Sequence, residues 1–128
     1  MRMIFVNLPV KDLSASMGFW TELGFAFNAE YSDDRAACMV IDENIFVMLL
    51  TEDRFKDFIN DEIADASSTT ETINCLSVDS KEEIDGTIAK AIAAGGKPWK
   101  PAMNEGPMHG GSFQDLDGHV WELLYMEA

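Results

Sequence analysis

Ile73-Asn74-Cys75-Leu76-Ser77-Val78-Asp79-Ser80-Lys81-Glu82-Glu83-Ile84 decides how this chain is read, because the pattern changes from strand to helix in its middle. Ile73 to Val78 reads as a strand. Ser80-Lys81-Glu82-Glu83 is a capping box, in which serine and glutamate serve each other's open backbone donors at a helix start. Ile84, Ile88 and Ile92 follow at helical spacing, and Gly95-Gly96 closes the helix with the residue type a left-handed turn wants. The same order occurs once before. Ile4 to Val10 reads as a strand with Val6, Leu8 and Val10 on one face and Phe5, Asn7 and Pro9 on the other, both faces largely covered. Asp12 then caps a helix carrying Leu13, Met17 and Trp20, which Leu23-Gly24-Phe25 ends. Val10-Lys11-Asp12 answers to Val78-Asp79-Ser80, and Leu23-Gly24 to Ala94-Gly95, at an offset of about 70 residues in both cases. Two like modules are implied.

The remaining segments complete each module. Phe25 to Glu30, Ala36 to Ile41 and Ile45 to Thr51 are β-prone runs separated by polar turns. From Glu52 to Glu71 the character changes: Phe55, Phe58 and Ile59 fit one face of a short helix, and Ser67 to Thr70 reads as a loop. Pro101 to Gly111 is a Gly/Pro-rich loop, and Ser112 to Gln114 and His119 to Met126 are strands flanking the turn Asp115-Leu116-Asp117-Gly118. The fold class expected is α+β: two tandem β-α-β-β-β modules, over 1–52 and 71–128, joined by a connector over 53–70. Their mixed β-sheets form a cupped cleft with the helices outside, and a cleft between sheets suggests a ligand.

Composition narrows the function. The chain has 128 residues, of which 47% are hydrophobic, enough for one domain with a real core. Nine Lys and Arg stand against 23 Asp and Glu, a formal charge of −14, so a phosphate backbone or an anionic lipid surface is repelled. We therefore expect no nucleic-acid partner and no membrane association. The acidic surface reads first as solubility and second as steering of a cationic ligand. Cys38 and Cys75 lie in apolar runs and read as buried free thiols of a cytoplasmic protein. The first apolar run is too short and too polar for a signal sequence or membrane span.

Asn7-Leu8-Pro9-Val10-Lys11-Asp12-Leu13, Phe19-Trp20, Leu23-Gly24-Phe25 and Asp115-Leu116-Asp117-Gly118-His119-Val120-Trp121-Glu122-Leu123 occur in the order and spacing of one family. In these stretches the chain resembles the vicinal oxygen chelate superfamily, which includes glyoxalase I, extradiol dioxygenases, and bleomycin and fosfomycin resistance proteins. The resemblance implies a paired-module cleft, commonly in a homodimer. Metal-dependent members place one ligand on the first and last strand of each module, and these positions carry over onto Phe5, Leu49, Ile73 and Glu122. Three of the four are apolar and offer no lone pair to a cation. No cofactor is therefore expected; a divalent metal held by Glu122, His109 and Glu105 is the alternative. Without such a site, His109 is an exposed loop residue.

Glu122 is the candidate catalytic residue. Among Phe5, Leu49 and Ile73, desolvation would raise its pKa and fit it to act as a general base; the other reading is a carboxylate satisfied by a donor such as Asn7. Asn7 and Cys75 share the parity of Phe5 and Ile73 and are placed in the same pocket, although Cys75 also reads as a small core hydrophobe. Trp99, Met103, Met108 and Phe113 form either an apolar wall for a flat organic ligand or a dimer contact, whereas Trp20 and Trp121 read as packing. Two functions follow from these residues and the resemblance. One is metal-independent binding or sequestration of a small organic molecule. The other is a metal-dependent lyase resembling glyoxalase I, with Glu122 as metal ligand or proton-transfer base.

Overall fold

The computed structural model describes residues 1–127. The chain divides into two compact units, Met1–Ala64 and Asp65–Ala128. The first contains β1 (Ile4–Val10), α1 (Leu13–Glu22), β2 (Ala26–Asn28), β3 (Ala36–Asp42), β4 (Ile45–Thr51) and the short α2 (Glu52–Lys56). The second contains β5 (Ile73–Ser77), α3 (Lys81–Ala93), β6 (Lys97–Pro98), β7 (Met103–Glu105), β8 (Met108–Gln114) and β9 (Val120–Met126).

The repeat read from the sequence is present in the connectivity. The first sheet runs β1-β4-β3-β2 and the second β5-β9-β8-β6, with β7 added on β8. In each, the opening strand pairs parallel with the closing one and the other pairs are antiparallel. The helix starts match as well. The Asp12 side chain accepts from the Ala15 N–H, and Ser80 accepts from the Glu83 N–H while Glu83 accepts from Asp79. Each satisfies open donors of a first turn. Gly24 and Gly95, at φ of 100° and 107°, take the left-handed conformation that ends each helix.

One face of each sheet is covered by its helix. In the first unit Leu8, Val10, Met39, Val47 and Leu49 are buried with Phe19 and Trp20. The buried stripe of α1 is thus Ser16, Phe19 and Trp20 rather than Leu13 and Met17. In the second unit Phe113, Trp121 and Leu123 are buried with Ile84 and Ala91, whereas Ile92 is exposed. Gly111 lets α3 lie directly on β8: a Cβ there would stand 2.5 Å from Ile88 Cδ1 and 2.7 Å from Ile84 Cγ2. Trp20 and Trp121 are core residues, each 1% exposed.

Several boundaries differ from expectation. The strand expected over 25–30 shortens to Ala26–Asn28 and passes into a single 3-10 turn, which the Asn28 side chain caps through the Glu30 N–H. In the connector, the helix stops at Lys56 and leaves Phe58 exposed under the Arg54 guanidinium, 4.4 Å from its ring centroid. The stretch 101–111 is a β-hairpin rather than a loop: β7 and β8 pair as far as Glu105 and Met108. Gly106, at φ of 62°, supplies the positive φ that a two-residue hairpin turn requires, and Pro107 follows it. The opening strand is not covered on both faces either, since Phe5 is 44% exposed.

Candidate functional site

Within each sheet, strand register decides which candidate residues share the face that no helix covers. In the first unit Phe5 pairs with Phe46, and their rings stack at 4.9 Å. Asn7 pairs with Met48, while Leu49 pairs with Leu8. Leu49 therefore stands on the opposite face from Phe5 and Asn7, fully buried under the helix, and the sequence-based placement of Leu49 in the pocket is corrected. Side chains alternate along a strand, and a slip of one residue exchanges the faces. Met48 occupies the place assigned to Leu49, and its thioether is a poor ligand for a hard divalent cation. The Asn7 amide donates to the Phe5 carbonyl of its own strand at 3.2 Å.

In the second unit the register unites several candidates. Cys75 pairs with Glu122, and Glu122 with Ser112 across the next ladder. Ile73, Cys75, Glu122, Ser112, Met108 and Met103 share one face by the alternation of these pairings. An open hollow of about 230 Å³ lies here, lined by Lys100, Pro101, Met103, Ser112, Glu122 and Leu124 and by the β8 and β9 segments Gly110–Gly111 and Leu123. Glu122 is exposed, and its carboxylate has neither a hydrogen bond nor an ion pair among the described residues. The Cys75 thiol is pushed up by partial burial and further by the Glu122 charge. Cys75 is thus exposed rather than buried, but its environment disfavours the thiolate.

Two candidates belong elsewhere. His109 is on β8 rather than in a loop, and its pairing with Tyr125 places it on the helix side, opposite Glu122. There it is buried, bonded through Nδ1 to Asn104 Oδ1 at 2.6 Å and stacked along Tyr125. Its Nε2 is 3.3 Å from Glu127 Oε1 without hydrogen-bond alignment. Neither the exposed loop position nor a ligand pair with Glu122 survives this register. Phe113, paired with Trp121 and 1% exposed, is a core residue rather than part of a ligand wall. Of the expected wall, Met103 lines the hollow, Met108 shares its face, and Trp99 is exposed beside it in sequence.

The sequence reading missed Lys100 and Ser112. Ser112 is buried, and its hydroxyl accepts from the Lys100 N–H at 3.0 Å, fixing that main chain at the rim of the hollow. A serine one strand over from Glu122 was a visible signal, but its partner 12 residues upstream was not. Asp115 was read only as a turn residue. It is buried and accepts from the Trp121 indole N–H and from the Asp117 and His119 backbone, each at 3.0 Å. Burial pushes its carboxyl up, and the His119 charge and these donors pull it partway back. It locks the β8–β9 turn and with it the strand that carries Glu122.

The donor set was tested against a divalent cation. On the face of the second sheet, Glu122 stands opposite Cys75 in one ladder and Ser112 in the other. Among the described residues no three His, Cys, Asp or Glu side chains gather as a group that could hold a metal ion. Three or four such donors are the usual requirement, so these residues do not fit a catalytic metal. No helix among the described residues is long and apolar enough to cross a membrane.

Comparison with known proteins adds to this geometry. The model of the Glyoxalase/Bleomycin resistance protein/Dioxygenase superfamily matches residues 2–123. A hypothetical protein from S. aureus superposes with a TM-score of 0.83 at 26% identity, covering 98% of this chain and 94% of that one. A glyoxalase/bleomycin resistance protein/dioxygenase family enzyme from Burkholderia phytofirmans gives 0.80 at 16% identity, with 98% and 99% covered. The fosfomycin resistance protein FosX from Listeria monocytogenes, complexed with Mn(II) and sulfate, gives 0.71 at 20% identity, with 97% and 89% covered. No curated protein matches the chain significantly.

Proposed function

Because the chain belongs to the glyoxalase/bleomycin resistance protein/dioxygenase superfamily, we propose that it binds a small organic molecule at the Glu122 hollow without a catalytic metal ion. The observation that carries this reading is the donor chemistry around Glu122. One carboxylate and one disfavoured thiolate stand among Ile73, Met103 and Leu124, a surface suited to apolar contact and a few directed hydrogen bonds. Sequestration of the kind found in bleomycin resistance proteins needs no more than that. Catalysis by Glu122 as a base would also need a donor aimed at the developing oxyanion, and the Ser112 hydroxyl beside it is engaged with the Lys100 main chain instead. We place the protein in the cytoplasm as a homodimer, the arrangement the family resemblance implies.

Metal analysis of protein purified without chelator, with thermal shifts on adding nickel, zinc, iron and manganese, tests the reading. Substoichiometric metal and no thermal shift are expected. Mn(II) in the FosX structure motivates the alternative, a metal-dependent lyase resembling glyoxalase I with Glu122 as ligand or proton-transfer base. Stoichiometric metal that disappears in Glu122→Ala would establish that alternative and overturn the proposal.

A further inference from the structure

Two groups of opposite charge line the hollow of the second unit: the lysine Lys100 and the carboxylate Glu122. Neither has an ion-pair partner among the described residues, and they do not pair with each other. The Lys100 ammonium stands over the Trp99 ring, 6.0 Å from its centroid. Lys56, Lys81, Lys90 and Lys97 are likewise in no ion pair among the described residues, so what sets Lys100 apart is its place at the hollow and the hold on its main chain. Its position is not left to chance. Buried Ser112 holds the Lys100 main chain, accepting its N–H at 3.0 Å and reaching its carbonyl at 3.5 Å. The same Ser112 is the cross-strand neighbour of Glu122. One serine thus ties the Lys100 main chain to the strand next to the one that carries Glu122.

We propose that this hollow selects a small ligand carrying both an anionic group and an ammonium or other hydrogen-bond donor, with an apolar body between them and the wall. Lys100 donates to the anion, Glu122 accepts from the donor, and Met103, Pro101 and Leu124 cover the aliphatic part. This rests on the reading of the hollow as a binding site and adds the chemical class of its occupant. The size agrees, since about 230 Å³ is below the ~300–1,000 Å³ of drug-sized sites. Charge agrees too. A molecule with a formal charge of −14 repels simple anions and attracts any cation, whereas a zwitterion carries no net charge and is chosen by local contacts alone. The steering of a cationic ligand, which composition offers only as a second reading, is therefore replaced at this site by a preference for paired charges.

Four matched probes test the proposal by NMR titration of the amides of Gly110–Ser112 and Glu122–Leu124: leucine, 4-methylpentanoate, 3-methylbutylamine and 3-methylbutanol. Leucine is expected to bind saturably, about tenfold tighter than either singly charged analogue, as one charge-assisted hydrogen bond each would give. Lys100→Met should lower leucine to the affinity of 3-methylbutylamine, and Glu122→Gln to that of 4-methylpentanoate. Lys100→Arg should retain leucine binding. Ser112→Ala, checked for an unchanged fold by its amide spectrum, should weaken leucine severalfold. Equal affinities for all four probes, or tighter binding of either single-charge analogue than of leucine, would overturn the paired-charge inference and leave the hollow standing as a binding site. No shift on either strand with any of the four would overturn both.

Discussion

Asp115 shows how one buried side chain outside the hollow sets the geometry of the candidate site. Its carboxyl is raised by burial from the usual 3.8, so folding favours the protonated form. The resulting stabilisation is complete below about pH 3.8 and is lost as the pH rises through the raised native value. Asp115→Ala removes the acceptor of the Trp121 indole and of two backbone N–H groups, and should destabilise by about 1–3 kcal/mol. By the sign above, the loss measured by chemical denaturation should be larger near pH 3.5 than near pH 7; the reverse order would mean that the donors outweigh burial. A second test at this scale concerns Cys75. Burial comes first and the Glu122 charge second in keeping its thiol protonated. Alkylation of Cys75 by iodoacetamide at pH 8 should be slower than that of free cysteine and should speed up in Glu122→Gln. An unchanged rate in the variant would contradict the cross-strand pairing of Cys75 with Glu122.

At the level of elements, what the sequence disclosed and what it hid follow from the same physics. Capping residues and left-handed glycines are chemically specific, so both helices could be placed from Asp12, Gly24, Ser80 and Gly95 alone. Strand register is different. Ile45-Phe46-Val47-Met48-Leu49-Leu50 is apolar at every position, so its alternation carries no parity, and only the pairing with β1 reveals that Met48 rather than Leu49 joins Phe5. In the second module, Ile73 and Cys75 share a parity on β5 and Glu122 is the one charged residue of β9, so their common face was legible. The hairpin over 103–114 was hidden because its glycines and proline look like a loop. One of those glycines is a packing device. Gly111→Ala would drive a methyl group into Ile84 and Ile88, with a cost of about 1–3 kcal/mol from overpacking. Combining it with Ile88→Ala should recover part of that loss in thermal unfolding, since the 2.5 Å contact is with the end of that side chain. Additive losses in the double variant would show that α3 does not rest on β8 through this contact.

For the whole molecule, charge is the dominant property that neither module explains by itself. With a formal charge of −14, most carboxylates have no cation to pair with, and the folded chain holds like charges closer together than the unfolded one does. The visible exceptions gather around α2, where Arg35 bridges Asp53 and Asp57, and Arg54 also meets Asp57. Asp53 is held below its usual range first by the Thr51 hydroxyl, and Asp57 first by Arg54, so both oppose Asp115: their contribution is present above about pH 3.8 and fades as the pH falls. These pairs are exposed, and salt weakens them, yet salt also screens the larger repulsion among the unpaired carboxylates. The two effects have opposite signs, and the excess of anions decides between them. Raising sodium chloride from 20 mM to 500 mM at pH 7 should therefore raise the melting temperature. Replacing Arg35 with Gln should lower the melting temperature at 20 mM and steepen its rise with salt, because the variant has one fewer cation and only the Arg54–Asp57 pair left for salt to weaken at that corner. A melting temperature that falls with salt in both proteins would mean that the α2 pairs outweigh the repulsion, and that the acidic surface is neutral to folding.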